Sequence, residues 1–250
     1  MSTWLLLRGL MRERRHWGDF PAQLGQAMPG ARVLTIDLPG NGEHYLGTSP
    51  STVAGMADFA RERLRAAGHA GPVNLLALSL GAMVAVEWSA RYPHEVARCV
   101  LINTSMRPFS AFHERLRWQN YPSLLKLALR GGAERQEATI LRLTSRLHGG
   151  DRALLARWAG FQRERPVSRA NALRQLLAAA RYRAPEAPPA LPLLVLASRA
   201  DALVDVRCSQ RLAAAWGAQI ALHTDAGHDL PLDDGPWVAD QVARWVLSPI

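Results

Sequence analysis

The chain has 250 residues, of which 48% are hydrophobic and 20% charged, a composition typical of a folded globular protein. Its two cysteines, Cys99 and Cys208, are too few for a disulfide framework or a paired-cysteine zinc site. The longest apolar stretch, residues 75–86, is shorter than the roughly 18 residues of a membrane span, and no secretory signal is visible. We therefore expect a cytoplasmic protein without a membrane segment.

The net charge of +9 is unevenly distributed along the chain. Residues 106–190 contain sixteen basic and six acidic side chains, so this one segment accounts for the whole excess of positive charge. Strongly basic proteins often bind nucleic acids, but no nucleic-acid-binding motif or basic–aromatic alternation is present. Two interpretations of the basic segment stay open, a solvated helix face paired with nearby acids and a surface that recruits an anionic partner.

Short apolar runs alternate with longer segments of helical spacing along most of the chain. The runs predict buried strands at residues 4–7, 33–36, 73–78, 96–102, 193–197 and 220–223. The segments between and after them predict helices at residues 17–28, 53–67, 82–91 and 237–246. Because the strands are apolar on both faces, this order predicts an α/β protein with a mainly parallel sheet flanked by helices.

The basic segment interrupts this alternation, since residues 106–190 contain no convincing strand. Leucines at helical spacing occur in it at Leu124, Leu125, Leu127, Leu129, Leu173, Leu176 and Leu177. We therefore predict a helical cap at residues 106–190, inserted into a core formed by residues 1–105 and 191–250.

The strand at residues 73–78 leads directly into a helix through a turn centred on Ser79. A sharp turn of this kind presents its central residue above the sheet and needs small neighbours, because the strand and the helix nearly touch. Ala77 and Gly81 meet that need, and the Leu80 N–H would point at an anion forming beside Ser79. The alternative is a serine in an ordinary strand–helix loop, with neighbours that are small for packing.

Two further residues follow Ser79 in a recognisable order, Asp201 after the strand at 193–197 and His228 after the strand at 220–223. With the turn at Ser79, this order resembles that of the α/β-hydrolase superfamily, whose triad runs serine, acid, histidine. The similarity extends over nearly the whole chain. It implies an α/β-hydrolase fold in which the cap covers the site.

The resemblance implies Asp201 as the triad acid, because Asp201 and Val204 match the family's acid loop. Asp205 is a second candidate for that role, with a helix N-cap as its alternative function. Some relatives place the acid one strand earlier, where this chain has the neutral Asn103. Asp201 is therefore preferred.

The resemblance implies His228 as the base, because it lies in a Gly-His loop before the last helix. His223 is interpreted as a strand-end residue. By position, the backbone N–H groups of Leu10 and Leu80 form the oxyanion hole. Arg8 stands where relatives carry a histidine before the retained Gly9, and it would place a permanent positive charge near the site.

A separate turn, residues 37–42, matches the family's DxPGxG pattern. Its two glycines predict a structural turn. A phosphate site is not expected there, because GxGxxG is absent and no helix follows directly.

These residues imply a serine hydrolase that cleaves a carboxylic ester or thioester through an acyl-enzyme on Ser79. His228 acts as the base and Asp201 orients it, and we expect no cofactor or metal. The alternative function is a non-catalytic ligand-binding protein on the same fold. We expect a small-molecule acyl ester or thioester as substrate. The basic cap also resembles that of the carrier-protein methyl esterases of biotin synthesis, which implies an acidic acyl carrier protein as a partner.

Overall fold

The computed structural model describes residues 2–123 and 132–248, and six strands in these ranges form one parallel sheet. The strands are β1 (Thr3–Leu7), β2 (Arg32–Ile36), β3 (Val73–Leu78), β4 (Val96–Ile102), β5 (Leu193–Ser198) and β6 (Gln219–His223). Their order across the sheet is β2-β1-β3-β4-β5-β6. The predicted fold class is confirmed, and each predicted strand matches the observed one to within one residue at either end.

Helices connect these strands. Before β5 they are α1 (Phe20–Ala27), α2 (Val53–Ala66), α3 (Leu80–Arg91), α4 (Phe112–Arg115), α5 (Ala133–Thr144), α6 (Arg152–Glu164) and α7 (Arg169–Arg181). After β5 they are α8 (Val206–Trp216), α9 (Leu230–Asp233) and α10 (Gly235–Leu247). Within the described ranges, no helix combines the length and the apolar character needed to cross a bilayer.

The first predicted helix, residues 17–28, is wrong at its start. A short 3₁₀ turn at Arg14–Trp17 precedes α1, and the two are separated by Gly18, whose φ of 54° lies outside the helical region. The helix predicted at residues 82–91 begins two residues earlier, at Leu80, because the turn at Ser79 passes into α3 without a linker.

Helices cover both faces of the sheet. Side chains of α2, α3 and α8 pack against one face, where Leu5 and Leu75 are fully buried. Side chains of α1 and α10 pack against the other face, where Leu6 and Leu76 are fully buried. Burial on both faces explains why the strand sequences are almost continuously apolar. The carboxyl ends of the strands are therefore left as the edge at which polar loops can gather.

The segment between β4 and β5 contains α4 to α7 in its described part. Leu141, Leu154 and Trp158 form a small apolar cluster of their own between α5 and α6. Leu173, Leu176 and Leu177 lie in α7, as their spacing indicates, and the side chains of Leu173 and Leu176 are exposed. The other leucines of the predicted helical pattern, Leu124, Leu125, Leu127 and Leu129, lie outside the described residues. The boundaries of the cap at residues 106–190 stay a prediction.

Candidate active site

Ser79 occupies a strained backbone conformation between β3 and α3. Its φ of 56° and ψ of −114° are unusual for a residue with a side chain. The Ser79 N–H donates to the Ile102 carbonyl at the end of β4, at 2.9 Å, and the hydroxyl of Thr104 donates to the Ser79 carbonyl. Ser79 itself is partly exposed, unlike the residues on either side of it. The turn therefore presents the Ser79 hydroxyl at the carboxyl ends of the strands.

Small residues around Ser79 allow the end of β1 to approach the turn. A Cβ atom on Gly81 would lie 2.4 Å from the Leu7 carbonyl oxygen and 2.6 Å from that of Arg8. A Cβ on Gly9 would lie 3.2 Å from the Ser79 Cβ and 3.8 Å from its hydroxyl oxygen. The predicted need for small residues at the turn thus has a steric cause, which is the close packing of the loop after β1.

Asp201 and His228 form a buried hydrogen-bonded pair. The Asp201 Oδ2 atom lies 2.7 Å from His228 Nδ1, and the two residues are 2% and 4% exposed. The other carboxylate oxygen accepts from the backbone N–H groups of Leu203 and Val204, at 2.7 and 2.9 Å. Burial by itself lowers the pKa of His228, but the Asp201 carboxylate favours the charged ring more strongly, so the pKa is raised.

This contact fixes which ring nitrogen of His228 carries the proton. An ionised carboxylate only accepts hydrogen bonds, so Nδ1 of the neutral ring must donate to Asp201. The Nε2 atom is then left with a lone pair that can accept a proton. The pair can therefore act as a general base toward a group placed on the Nε2 side of the ring.

Asn103 connects the turn of Ser79 to the loop of His228. Its side-chain amide donates to the His228 carbonyl at 2.8 Å, and its side-chain oxygen accepts from the Ser198 N–H at 2.8 Å. Asn103 directly follows Ile102, whose carbonyl accepts from the Ser79 N–H. The structure thus brings Ser79, Asp201 and His228 to one edge of the sheet. Among the hydrogen bonds of the described residues, none joins the Ser79 hydroxyl to the His228 ring, a contact that often tightens only when substrate binds.

Arg8 makes the contact that sequence reasoning missed. Its guanidinium forms two hydrogen bonds with the carboxylate of Asp229, at 3.0 and 2.5 Å, and lies 4.7 Å from the centre of the Trp17 ring. The positive charge expected at Arg8 is therefore present, but it is paired. The sequence gives no signal that singles out Asp229, because Asp225, Asp233 and Asp234 lie in the same stretch.

The carboxyl end of α5 also contacts the His228 loop. The Asp229 N–H donates to the Thr144 carbonyl at 2.7 Å. The carboxylate of Asp233 accepts from the Ser145 hydroxyl and, at 2.6 Å, from the Gly227 N–H. The residue after His228 is thus held directly by the end of α5, and the residue before it is held by Asp233 of α9, which in turn binds Ser145.

The two predicted oxyanion donors lie in different segments of the chain. Leu80 is the first residue of α3, and Leu10 lies in the loop after β1. Within the described part of the chain, neither backbone N–H has a hydrogen-bond acceptor. Met11, whose φ is 54°, turns the loop sharply, and its N–H donates to Gln175 of α7 at 2.9 Å.

The remaining candidates have structural roles. Asp205 is the N-cap of α8, where its carboxylate accepts from the Arg207 N–H, so its alternative role as a cap is the one that the geometry supports. His223 ends β6 and lies 3.1 Å from the Asp234 carboxylate.

In the turn at residues 37–42, a Cβ on Gly42 would lie 2.0 Å from the Asp37 carboxylate, which accepts from two backbone N–H groups. Across residues 2–123 and 132–248, no cluster of three or more His, Cys, Asp or Glu side chains is arranged to hold a metal ion.

A serine in a strained strand-to-helix turn, followed in chain order by a paired aspartate and histidine at the same edge of a parallel sheet, defines the α/β-hydrolase class of proteins. The chain belongs to the alpha/beta hydrolase family, whose model matches residues 4–241.

Solved structures show the same fold over almost the whole chain. An esterase from Thermogutta terrifontis is 21% identical with a TM-score of 0.77, and the alignment covers 98% of this chain and 89% of the esterase. An enol-lactonase from Burkholderia xenovorans is 20% identical with a TM-score of 0.78, covering 99% and 92%. An esterase from Rhodococcus is 18% identical with a TM-score of 0.76, covering 99% and 90%. A search of the curated proteins finds no significant match.

Proposed function

We propose that this protein is a serine hydrolase that cleaves a carboxylic ester or thioester through an acyl-enzyme on Ser79. The observation that carries the proposal is the connection between two features of the site. The Asp201–His228 pair, joined at 2.7 Å, is tied through Asn103 to the strand end that holds Ser79. A free hydroxyl in a strained turn has no evident structural use, whereas a nucleophile beside a base needs this exposure.

The proposed reaction begins when His228 Nε2 takes the hydroxyl proton of Ser79 as the oxygen attacks the carbonyl carbon. Asp201 holds the ring in the required tautomer and stabilises the imidazolium that forms. The N–H groups of Leu10 and Leu80 stabilise the negative charge on the former carbonyl oxygen, and loss of one such donor typically costs about 3–4 kcal/mol of barrier. The protonated ring then gives its proton to the leaving group. Water, deprotonated by His228, then attacks the acyl carbon, and the ring returns the proton to the Ser79 oxygen as the carboxylic acid leaves.

The proposed substrate class follows from the nucleophile and from the similar structures. A serine oxygen forms an ester with the acyl group, which suits ester and thioester substrates. Two of the similar structures are described as esterases and one as an enol-lactonase. A panel of p-nitrophenyl esters, acyl thioesters and lactones would identify the preferred acyl and leaving groups.

The experiment that tests the proposal is covalent labelling with a fluorophosphonate probe. We expect the wild-type protein to be labelled and Ser79→Ala to be neither labelled nor active on p-nitrophenyl esters. Ser89→Ala is the matched control, because Ser89 lies in α3, the helix that follows Ser79, and is buried with its hydroxyl donating to the Ala85 carbonyl. Wild-type protein that binds acyl ligands without being labelled would instead support the non-catalytic binding protein.

We also propose that the basic segment, residues 106–190, recruits an acidic acyl carrier protein. The support comes from three of its six acids: Glu114, Glu137 and Glu164 bind Arg211, Arg12 and Arg15, which all lie outside the segment, whereas Glu186 pairs with Arg183 within it.

Several arginines within the segment are exposed. Arg135, Arg142, Arg157 and Arg174 have no acidic partner among the described residues. Exposed charges of this kind mainly raise association rates and are screened by salt. We therefore expect kcat/KM for a carrier-protein ester to exceed that for the matching free ester at low ionic strength and to fall as salt is added. Equal values that do not depend on salt would contradict the carrier-protein partner.

A further inference from the structure

The loop that follows β1 and the loop that bears His228 are joined by a buried ion pair. Arg8 donates through both terminal nitrogens to the two oxygens of Asp229, and the side chains are 3% and 4% exposed. Two parallel hydrogen bonds fix the relative orientation of the groups as well as their separation. The ion pair therefore constrains how the two loops sit against each other.

The two residues of the pair are direct chain neighbours of the proposed catalytic groups. Arg8 precedes Gly9, which packs against Ser79, and Leu10, whose N–H is a proposed oxyanion donor. Asp229 directly follows His228. A displacement of either member would change the separation between the proposed base and the oxyanion loop.

Each member of the pair is also held by a group other than its partner. The Arg8 guanidinium stacks on Trp17 at 4.7 Å, and the Asp229 N–H donates to the Thr144 carbonyl at the end of α5. The pair thus joins two supported loops, so its geometry does not depend on the ion pair alone.

The charges of the pair act on the His228 ring in opposite directions. The charged groups that act on the ring are Asp201, Asp229 and Arg8. Both carboxylates favour the protonated ring, whereas Arg8 disfavours it. Asp229 has the larger effect of the two, so it compensates the effect of the Arg8 charge on the ring.

We propose that Arg8 and Asp229 form a positioning pair that holds the His228 loop against the oxyanion loop, with the Asp229 carboxylate compensating the Arg8 charge beside the imidazole. The inference rests on the proposed function, since it assigns the pair to the same site. Arg8 is then the replacement for the histidine that relatives carry before the glycine, and Asp229 is its obligatory partner.

The test measures the titration of the His228 ring by NMR in the Ser79→Ala protein, with the resonance assigned from a His228→Gln sample. An arginine keeps its charge at all accessible pH, so Asp229→Asn leaves an uncompensated cation beside the ring. We expect the titration midpoint of His228 to move to lower pH in Asp229→Asn and to return toward the original value in Arg8→Met/Asp229→Asn. This measurement does not depend on turnover, so it remains informative if the hydrolase proposal fails.

A second variant tests the positioning role by kinetics. Arg8→Lys keeps the charge but cannot form the two parallel hydrogen bonds. We expect the His228 titration to stay in place while kcat on a p-nitrophenyl ester falls by about tenfold or more with little change in KM, because small misplacements of a base are costly. Unchanged kcat in Arg8→Lys would overturn the positioning role.

The matched control is the ion pair of Arg12 and Glu137, which also joins the loop after β1 to the segment between β4 and β5. It is similarly buried, with the two side chains 7% and 3% exposed. We expect Glu137→Gln to leave the titration of His228 unchanged. An equal shift in Glu137→Gln, or no shift in a folded Asp229→Asn protein as judged by circular dichroism, would overturn the electrostatic role of the pair.

Discussion

Replacing Asp201 with asparagine would reverse the hydrogen bond that sets the His228 tautomer. One Asp201 oxygen accepts from the backbone N–H groups of Leu203 and Val204, and the other faces His228 Nδ1. In Asp201→Asn, the amide oxygen must stay toward the two N–H donors, so the NH₂ group takes the position facing the ring. That group can only donate, and Nδ1 must then accept.

The consequence is a histidine with its proton on the wrong nitrogen. With Nδ1 accepting, the proton of the neutral ring lies on Nε2, which can no longer take a proton from Ser79. The corresponding change in serine triads lowers kcat about 10⁴-fold, or roughly 5 kcal/mol at about 1.4 kcal/mol per tenfold. The carboxylate that raises the pKa of His228 is also lost, whereas burial still lowers it. The acidic side of the pH–activity profile, measured on any residual activity, should therefore move to lower pH.

The assay is kcat/KM on a p-nitrophenyl ester across pH, with thermal unfolding as the check on folding. Asp205→Asn is the matched control, because it makes the same chemical change four residues away at the N-cap of α8, where asparagine caps as well as aspartate. We expect it to change both activity and the melting temperature only slightly. The assignment of the triad acid would be refuted if Asp201→Asn kept more than a tenth of wild-type activity. It would also be refuted if Asp205→Asn lost more activity than Asp201→Asn.

Two glycine substitutions and one acid substitution test the packing. Gly81→Ala should destabilise the folded protein by at least about 2 kcal/mol, because its Cβ would lie 2.4 Å from the Leu7 carbonyl oxygen. Gly160→Ala in α6, where nothing lies within 4 Å of the added Cβ, should stabilise the protein by about 0.5–1 kcal/mol. Thermal unfolding of the two variants and the wild type would test both expectations. Glu95→Gln should cost roughly 1 kcal/mol at neutral pH. The hydrogen bond from Arg61 lowers the pKa of Glu95 from its ordinary 4.5 to about 2, so this stabilisation is present above pH 4.5 and is lost as the pH falls toward 2. A Glu95→Gln deficit in urea unfolding that does not shrink between pH 5 and 2 would contradict this account.

The strands and the turn at Ser79 were predictable because their signals are local. A strand buried on both faces needs only a short apolar run, as in β3, and the turn needs small residues at fixed offsets, as at Ala77 and Gly81. Even here the local pattern failed before α1, where an apolar periodicity continues through Gly18 although its backbone leaves the helix. A pattern of side chains does not report the conformation of a single glycine.

The contacts that organise the site were not predictable, because they join residues far apart in the chain. Arg8 and Asp229 are 221 residues apart, Arg12 and Glu137 are 125 apart, and Met11 donates to Gln175 across 164 residues. In the sequence each charged residue is indistinguishable from a solvated one. Only the fold shows that these side chains are buried, and burial of an unpaired charge would be too costly to tolerate.

The contacts of Asn103 support our placing the proposed triad acid after β5. An aspartate at position 103 would lose the amide donor that binds the His228 carbonyl, and its negative charge would face that carbonyl oxygen at the present distance of 2.8 Å. The amide is the side chain that suits this position, because it accepts from the Ser198 N–H and donates to the His228 loop at the same time. Asn103→Asp would therefore exchange an attractive contact for a repulsive one. We infer that the position one strand earlier braces the loop of the base, which leaves Asp201 as the group that orients the ring.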